Sequence, residues 1–514
     1  MTITLLLGSG PVSVTAQAGQ TILDVVQAQA GLPIHAPCGG QGTCRKCTVY
    51  LSTPQGEQAV LACRTPVEDG MTVRLPSAAP LAVQMRGSAD EDGYAPDAGL
   101  TGYGVACDIG TTTVVCHLME LSTGRVLATV GEGNAQRPYG GDVIARIKAA
   151  MEGRLPALTA AITGQLSGMI EALCQSAKIS AAEVCRMTIA ANTVMCHLLT
   201  GLDPTGIGAA PFLPESLFGD CHDARKMGLP FDGKVYIIPA VSGYVGGDIT
   251  ADLLAADLDR ASSPVLLIDV GTNGEMALGC GDHFTCCSTA AGPAFEGAQI
   301  RCGMTAAPGA ISSVQYVDGK VVCSVIGGGE AAGLCGSGLI DALAVMLDLG
   351  AVDETGRVLD VEEDDIPDEA APYLFLLDDE PAFRLTGDIA VTQGDVRKVQ
   401  LGKGAIAAGV QVLLDSYGTD HSKISALLLA GGFGSFIRPE SAARIGLIPA
   451  QLLHVTRSVG NAAAQGAQEA LVSAEARERL ARLQKNMNYK ELSGLPAFNT
   501  AYMEAMMFPE EDRP

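Results

Sequence analysis

The sequence predicts a multidomain α/β protein: a small cysteine-bearing unit, a polar linker, and a larger body made of two related halves. Three observations predict it. Four cysteines cluster among glycines between positions 38 and 63. The segment 88–97 is acidic and broken by Pro and Gly. A pattern of apolar strand, Asp, Gly and Thr occurs twice, at 104–116 and again at 265–276. At 514 residues the chain is too long for one core. The expected division is 1–77, a linker at 78–102, a first lobe at 103–260, and a second lobe with the C-terminal tail at 261–514.

In the first unit, residues 2–7 and 12–16 read as strands around the turn Gly8-Ser9-Gly10-Pro11. Thr21 can cap a helix with Asp24 in its first turn, and Ile22, Val25 and Val26 give helical spacing. Gly31 ends it. Then comes the loop Cys38-Gly39-Gly40-Gln41-Gly42-Thr43-Cys44-Arg45-Lys46-Cys47, followed by a strand from Thr48 to Leu51 and by Cys63. Four thiolates spaced C-x5-C-x2-C-x15-C can hold a 2Fe–2S cluster. Gly39, Gly40 and Gly42 let the backbone wrap closely and aim N–H groups at sulfur. A zinc site is the alternative, but zinc ribbons offer two Cys-x2-Cys pairs where this chain has one, which favours iron and sulfide. The metal ligands are therefore expected to be Cys38, Cys44, Cys47 and Cys63. The run Gly19-Gln20-Thr21-Ile22-Leu23-Asp24-Val25-Val26 ahead of them resembles the 2Fe–2S ferredoxin family, and that resemblance implies a β-grasp fold.

Hydrophobic residues make up 47% of the chain, yet Trp is absent and aromatics reach only 4%. The cores must be built from Ala, Val, Leu and Ile. The net charge of −24 repels nucleic acid and anionic membranes, so neither is an expected partner. No apolar run reads as a transmembrane span. The N-terminus lacks the basic region of a signal peptide, the first Lys or Arg being Arg45, and a cytoplasmic protein is expected. In that compartment the sixteen cysteines are not a disulfide framework. Cys286, Cys287, Cys302 and Cys335 match no metal-ligand spacing and read as buried packing residues.

The body opens with the strand Gly104-Val105-Ala106-Cys107, then Asp108, Ile109, and the turn Gly110-Thr111-Thr112-Thr113. A carboxylate at a strand end can hold Mg²⁺ through water, and a glycine turn with hydroxyls can cradle phosphate. The pattern returns as Val265-Leu266-Leu267-Ile268-Asp269-Val270-Gly271-Thr272-Asn273-Gly274, which points to an internal duplication. A third element, Leu427-Leu428-Leu429-Ala430 into Gly431-Gly432-Phe433-Gly434, offers bare backbone on which a flat base or a ribose can lie. Each glycine loop alone is an ordinary turn. The three in this order resemble the superfamily of actin, sugar kinases and heat-shock chaperone ATPases, which implies two ribonuclease-H-like lobes clamping ATP. By that resemblance Asp108 and Asp269 would serve catalysis at the metal. Gly110, Thr111, Thr112 and Thr113 would form the first phosphate loop, and Gly271, Thr272, Asn273 and Gly274 the second. Gly431, Gly432 and Gly434 would meet adenosine. Segments at Gly246-Gly247-Asp248 and Gly460-Asn461-Ala462-Ala463 would start the lobe-connecting helices.

Other polar residues framed by glycines suggest cleft lining. They lie at 134–143, 192–199, 291–297 and 333–341. Glu296 and Asp142 are candidates for orienting an attacking water, against the plainer reading of surface acids. His197, followed by two leucines, reads as a structural histidine. Gly336, ahead of an apolar run, can open a helix whose N-terminus faces phosphate or ribose. Residues 353–380 read as an acidic surface loop, and the tail from 485, with Phe498, Tyr502 and Phe508, as packed on the body.

Taken whole, the chain resembles the reductive activators of corrinoid-dependent enzymes. The resemblance includes the cysteine loop, both hairpins, Leu202-Asp203-Pro204, Gly333 to Asp341, Thr392-Gln393-Gly394-Asp395-Val396-Arg397 and Gly431 to Phe436. It implies an ATPase coupled to electron transfer that uses a 2Fe–2S cluster, ATP and Mg²⁺ to return an inactive Co(II) corrinoid to Co(I). It implies as partners a corrinoid protein or corrinoid-dependent methyltransferase, a low-potential electron donor, and a second copy of the chain. Reduction of Co(II) from a cluster near about −400 mV is uphill, and ATP can help only by favouring one of two conformations. Two other classes compete. A small-molecule kinase of the sugar-kinase type leaves the cysteine unit without a purpose. An ATP-driven electron donor to a different enzyme, such as a dehydratase, resembles the body but carries its cluster between subunits.

Overall fold

The computed structural model describes residues 1–7, 10–27, 34, 47–53, 56–75, 94–363, 365–434 and 436–510. The first unit has strands β1 (Thr2–Leu7) and β2 (Gly10–Thr15), helix α1 (Ile22–Gln27), and strands β3 (Thr48–Thr53), β4 (Gly56–Leu61) and β5 (Thr72–Arg74). They form one sheet in the order β2-β1-β5-β3-β4, with β1 and β5 parallel and the other pairs antiparallel. This is the β-grasp arrangement expected from the ferredoxin resemblance. The Thr21 amide donates to the Asp24 carboxylate at 2.8 Å while the Asp24 amide donates to the Thr21 hydroxyl at 3.2 Å, a reciprocal cap that fixes the start of α1. Ile22, Leu23, Val25 and Val26 are buried beneath the sheet.

The first lobe follows with β6 (Tyr103–Ile109), β7 (Thr113–Glu120), β8 (Arg125–Gly133), α2 (Val143–Ala149), α3 (Leu155–Ala177), β9 (Val184–Ala191), α4 (Thr193–Thr200), β10 (Cys221–Asp223), β11 (Lys234–Ile237) and α5 (Gly247–Ala255). Its sheet runs β10-β11-β9-β6-β7-β8. The second lobe begins with β12 (Val265–Val270), β13 (Gly274–Cys280) and β14 (His283–Thr289). Next come β15 (Ala310–Val317), β16 (Lys320–Val325), β17 (Gly333–Leu334), α6 (Gly336–Asp348), β18 (Leu374–Leu377), β19 (Glu380–Thr386), β20 (Ile389–Thr392) and α7 (Gln393–Tyr417). It closes with β21 (Ala426–Ala430), the short α8 (Gly431–Gly434), α9 (Pro439–Arg444), β22 (Thr456–Gly460), α10 (Ala462–Val472), α11 (Ala474–Asn486), β23 (Met487–Tyr489) and α12 (Pro496–Ala505). Its main sheet runs β22-β21-β12-β13-β14-β23.

The two large sheets share one plan. In each, an antiparallel meander (β6-β7-β8 or β12-β13-β14) is extended on the side of its first strand by two parallel strands (β9 and β11, or β21 and β22). That common order is the internal duplication read from the twin hairpins. Helices α5 and α10 pack together between the lobes, and α10 crosses back onto β6 and β9. Gly466 makes the crossing possible: a Cβ there would stand 2.3 Å from the Ala251 carbonyl oxygen. Ala251, Leu254, Ala463, Ala467 and Ala470 are buried in the apolar seam that joins both sheets.

Residues 76–93 of the expected linker lie outside the described residues, while 94–102 lie on the body. The Asp97 amide donates to the Val472 carbonyl at 2.9 Å, and the Ala474 amide donates to the Asp97 carboxylate at 2.7 Å. The acidic stretch 353–380 is more ordered than a surface loop: Leu374–Leu377 pairs with β19, because a short apolar run hides among acids. Among the described residues, Val143–Ala177 is long and apolar enough by length and composition to cross a membrane. It is broken at Gly153, whose φ is 84°, and its stripe of Leu158, Ile162, Leu166 and Ile170 is buried in the first lobe's core. The sequence reading missed it because small and polar residues dilute the run. The tail packs as expected: Phe508 is buried, and Gln400 donates to the Met506 carbonyl at 2.9 Å.

Candidate functional site

A cavity of about 210 Å³ opens between the lobes, where the β6–β7 and β12–β13 turns face each other. Asp108 and the whole Gly110-Thr111-Thr112-Thr113 turn line it from the first lobe. Asp269, Gly271, Thr272, Asn273, Glu296, Gly336, Gly431 and Gly432 line it from the second. Gly274 and Gly434 are not on its wall. Gly274 answers to packing instead, since a Cβ there would meet the Ile406 side chain at 2.7 Å. Gly431 has φ 88°, and a Cβ on it would fall 2.2 Å from Oδ1 of Asp269, so only glycine lets that carboxylate sit against the strand end.

The first turn is held from behind. The Asn134 amide group donates to the Gly110 carbonyl at 2.8 Å. Asn192, the cap of α4, donates to the Thr111 hydroxyl at 3.2 Å. The buried Arg146 guanidinium on α2 donates to the Thr111 carbonyl at 2.5 Å and to the Gly140 carbonyl at 3.0 Å. Burial lowers its pKa to about 9, with the nearby Arg137 acting in the same direction. Arg146 carries no sequence signal, being one of two basic residues, with Lys148, on a short helix. Asp142, a sequence candidate for positioning water, caps α2 instead by accepting from the Ala145 amide at 2.7 Å. His197 is structural, as read: its Nδ1 lies 2.7 Å from the Thr193 carbonyl, and its Nε2 accepts from the Glu215 amide at 3.1 Å.

Five acids line the cavity, Asp108, Asp248, Asp269, Glu275 and Glu296, with Asp252 buried behind them, and among the described residues no Lys or Arg lines it. Burial raises Asp108 to about 7, offset by the Asn461 side chain, which donates to its Oδ2 at 2.9 Å, and reinforced by Asp248. Burial and then the charges of Asp248, Asp108 and Glu296 raise Asp269 to about 8. Burial raises Asp248 to about 6. Glu275, cross-strand partner of Asp269, is pushed up by burial and by Asp248 and Asp269. Asp252, one turn along α5 from Asp248, is fully buried with neither oxygen hydrogen-bonded, and burial and its acidic neighbours push it up. Asp248, Asp252 and Glu275 were not picked out from sequence as site residues, because acids scattered over a helix and a strand have no shared spacing. Such a donor set calls for a cation. Among the described residues no three His, Cys, Asp or Glu side chains converge tightly enough to cage one. That suits Mg²⁺, which keeps most of its water and takes one or two carboxylates plus phosphate oxygens.

In the first unit, Cys47 and Cys63 are buried with sulfurs 3.3 Å apart. Two thiolates on one tetrahedral metal at bonds of about 2.3 Å stand about 3.8 Å apart, so a parting of the pair by about half an ångström would seat both on a common iron. Leu23 and Ile22 donate to the Ala62 and Thr65 carbonyls, tying α1 to the Cys63 loop. Cys38 and Cys44 lie outside the described residues. Cys286 and Cys287 pack on opposite sides of their sheet, one in the seam and one in the second lobe's core.

Fold and site define a class: a two-lobed phosphate clamp of the actin and sugar-kinase architecture carrying a ferredoxin head. Family models narrow it. Residues 6–68 match the 2Fe-2S iron-sulfur cluster binding domain, 103–261 the RACo middle region, and 263–514 the C-terminal domain of RACo, the ASKHA domain. The chain belongs to the RACo family. The corrinoid activation enzyme RamQ of Eubacterium limosum is 32% identical, across 95% of this chain and 96% of that protein. The [Co(II) methylated amine-specific corrinoid protein] reductase of Methanosarcina barkeri is 27% identical across 68% of this chain and 66% of that one. The solved structure of a reductive activator for corrinoid,iron-sulfur protein superposes with a TM-score of 0.73 at 28% identity, covering 99% of this chain and 98% of that one.

Proposed function

We propose that this protein is an ATP-dependent reductive activator of a corrinoid protein, returning Co(II) to Co(I) through a 2Fe–2S cluster. The observation that carries the reading is one polypeptide with a cysteine head and an acid-lined cleft between twin Asp-Gly-Thr turns, matched over 95% of its length by a corrinoid activation enzyme. The cluster, held by Cys38, Cys44, Cys47 and Cys63, supplies single-electron transfer. The electron enters from a low-potential donor and leaves to cobalt.

In the cleft, Asp108 and Asp269 would hold hydrated Mg²⁺, which would supply charge neutralisation for the phosphates of ATP. The turns 110–113 and 271–273 present hydroxyls and backbone N–H groups to those phosphates. Gly431 and Gly432 give room to adenosine, Gly336 opens α6 toward the ribose or phosphate, and Glu296 orients the attacking water. The polypeptide divides at 1–77, 78–102, 103–260 and 261–514. The partner is a corrinoid protein or corrinoid-dependent methyltransferase, met by a cytoplasmic homodimer that binds neither nucleic acid nor membrane.

The experiment reduces the reconstituted protein anaerobically and follows the Co(II) and Co(I) absorption of a corrinoid partner with and without Mg·ATP. Conversion that requires ATP supports the reading, and equal conversion without nucleotide rejects it.

A further inference from the structure

Among the described residues, Glu296 is the one side chain hydrogen-bonded to both phosphate turns. It leaves the short 3-10 turn Pro293–Glu296 and reaches the mouth of the cavity. Its Oε1 accepts from the Thr272 amide at 3.0 Å and from the Thr272 hydroxyl at 2.7 Å, both in the second lobe. Its Oε2 accepts from the Thr112 hydroxyl in the first lobe. A carboxylate thus holds three donors, two from the second turn and one from the first, of the kind a phosphate needs. At the same cavity Asn461 donates to Asp108 at 2.9 Å across the seam, while Arg479 with Asp257 at 2.7 Å and Arg260 with Glu475 at 2.7 Å join the lobes away from the cavity wall.

We infer that Glu296 is a phosphate surrogate that latches the lobes in the nucleotide-free protein and is displaced when the terminal phosphate of ATP takes its donors. This rests on the reading of the cleft as a nucleotide site, and it deepens that reading. The donors are fixed and few, so carboxylate and phosphate compete for them. Three hydrogen bonds to a charged acceptor make the latched form favourable without ligand. Displacement frees the carboxylate at the moment the phosphate arrives, which puts the proposed water-orienting group beside the bond to be broken. The same side chain then reports to both lobes whether a terminal phosphate is present, which is the differential contact a two-conformation mechanism requires.

The test uses the full, cluster-loaded protein and three variants, Glu296→Ala, Thr112→Val and the double variant. Hydrogen exchange is followed in the nucleotide-free state over residues 461–464, at the start of α10 on the seam. Each single variant opens the latch, so each should speed exchange there by about tenfold, and the double variant should add nothing further. Binding of a non-hydrolysable ATP analogue with Mg²⁺ should tighten by about tenfold in Glu296→Ala, because the competitor is gone. Loss of a bare negative charge also tightens binding, so the non-additive exchange at the seam is the deciding result. Unchanged exchange in either single variant, or additive effects in the double variant, overturns the inference. Glu296→Gln, which keeps the shape and removes the charge, should show the same directions more weakly and covers the case in which alanine fails to fold. If the wild-type protein binds no nucleotide analogue, the reading of the cleft fails. The exchange cycle, run without nucleotide, still decides the latch.

Discussion

Replacing Asp108 by Asn should stabilise the nucleotide-free protein at pH 8 while abolishing its use of Mg·ATP. Asp108 has its pKa raised from 3.8 to about 7, with burial the largest cause. Between those values the native protein binds a proton that the unfolded chain has released. Stability from this group is therefore full below about 4 and is lost as pH rises through about 7. A shift of about three units corresponds to about 4 kcal/mol. Asp108 faces the open cavity, and water there screens the charge, so about 2 kcal/mol is the expected net effect. Asn keeps an oxygen for the Asn461 amide and carries no charge. Calorimetric melting at pH 8 without nucleotide should rise by about 2–4 °C over the parent, and the difference should shrink as pH falls below about 7 and vanish near pH 4. A variant that melts lower at pH 8, or a gain that persists unchanged at pH 5, would show that the carboxylate is not strained by its surroundings. The reasoning would then be refuted.

Three further outcomes follow from neighbouring contacts. Asn461→Ala removes the hydrogen bond that favours ionised Asp108, so the lower pH limit of the ATPase profile should move upward by about half a unit to one unit. Arg146→Met leaves the Thr111 and Gly140 carbonyls without their buried donor, and should cost about 3 kcal/mol in denaturant unfolding and raise KM for ATP, with Arg146→Lys recovering part of both. Cys63→Ala should remove the visible absorption of the 2Fe–2S cluster and the reduction of Co(II), while nucleotide binding measured by calorimetry stays at the parent value, because the cysteine head and the cleft are built from separate cores.

What could be read from sequence and what could not divides along a physical line. The twin turns were legible because phosphate binding needs contiguous residues: Gly110 to Thr113 and Gly271 to Asn273 each lie in one stretch and all reach the cavity. The cysteine head was legible because metal ligands with glycine spacers leave a local signature. Gly274 and Gly434 were read as binding residues by continuity with their neighbours, yet the chain turns them away from the cavity wall. Arg146, Asp252 and Glu275 were illegible for the opposite reason. Each acts through a partner distant in sequence, and nothing at its own position distinguishes it from an ordinary charged residue. The strand Leu374–Leu377 was masked by acidic flanks, since composition averages over a window wider than four residues.

The acids missed from sequence bear on how ATP can do work here. Asp108 stands on the first lobe's β6, Asp269 and Glu275 on the second lobe's β12 and β13, and Asp248 and Asp252 on α5 between them. Their charges thus face one another across the seam between the lobes. Ionised without a cation they repel, and Asp252, with no hydrogen bond to either oxygen, has no local means of relieving that repulsion. Protonated, or neutralised by Mg²⁺ brought with ATP, they permit close approach. The apolar packing of α5 on α10, with Gly466 against Ala251, favours approach in every state. Set against that constant apolar attraction, the charge repulsion is the part of the balance that a cation brought by the ligand would change. It gives the nucleotide a handle on lobe spacing that a neutral seam would lack.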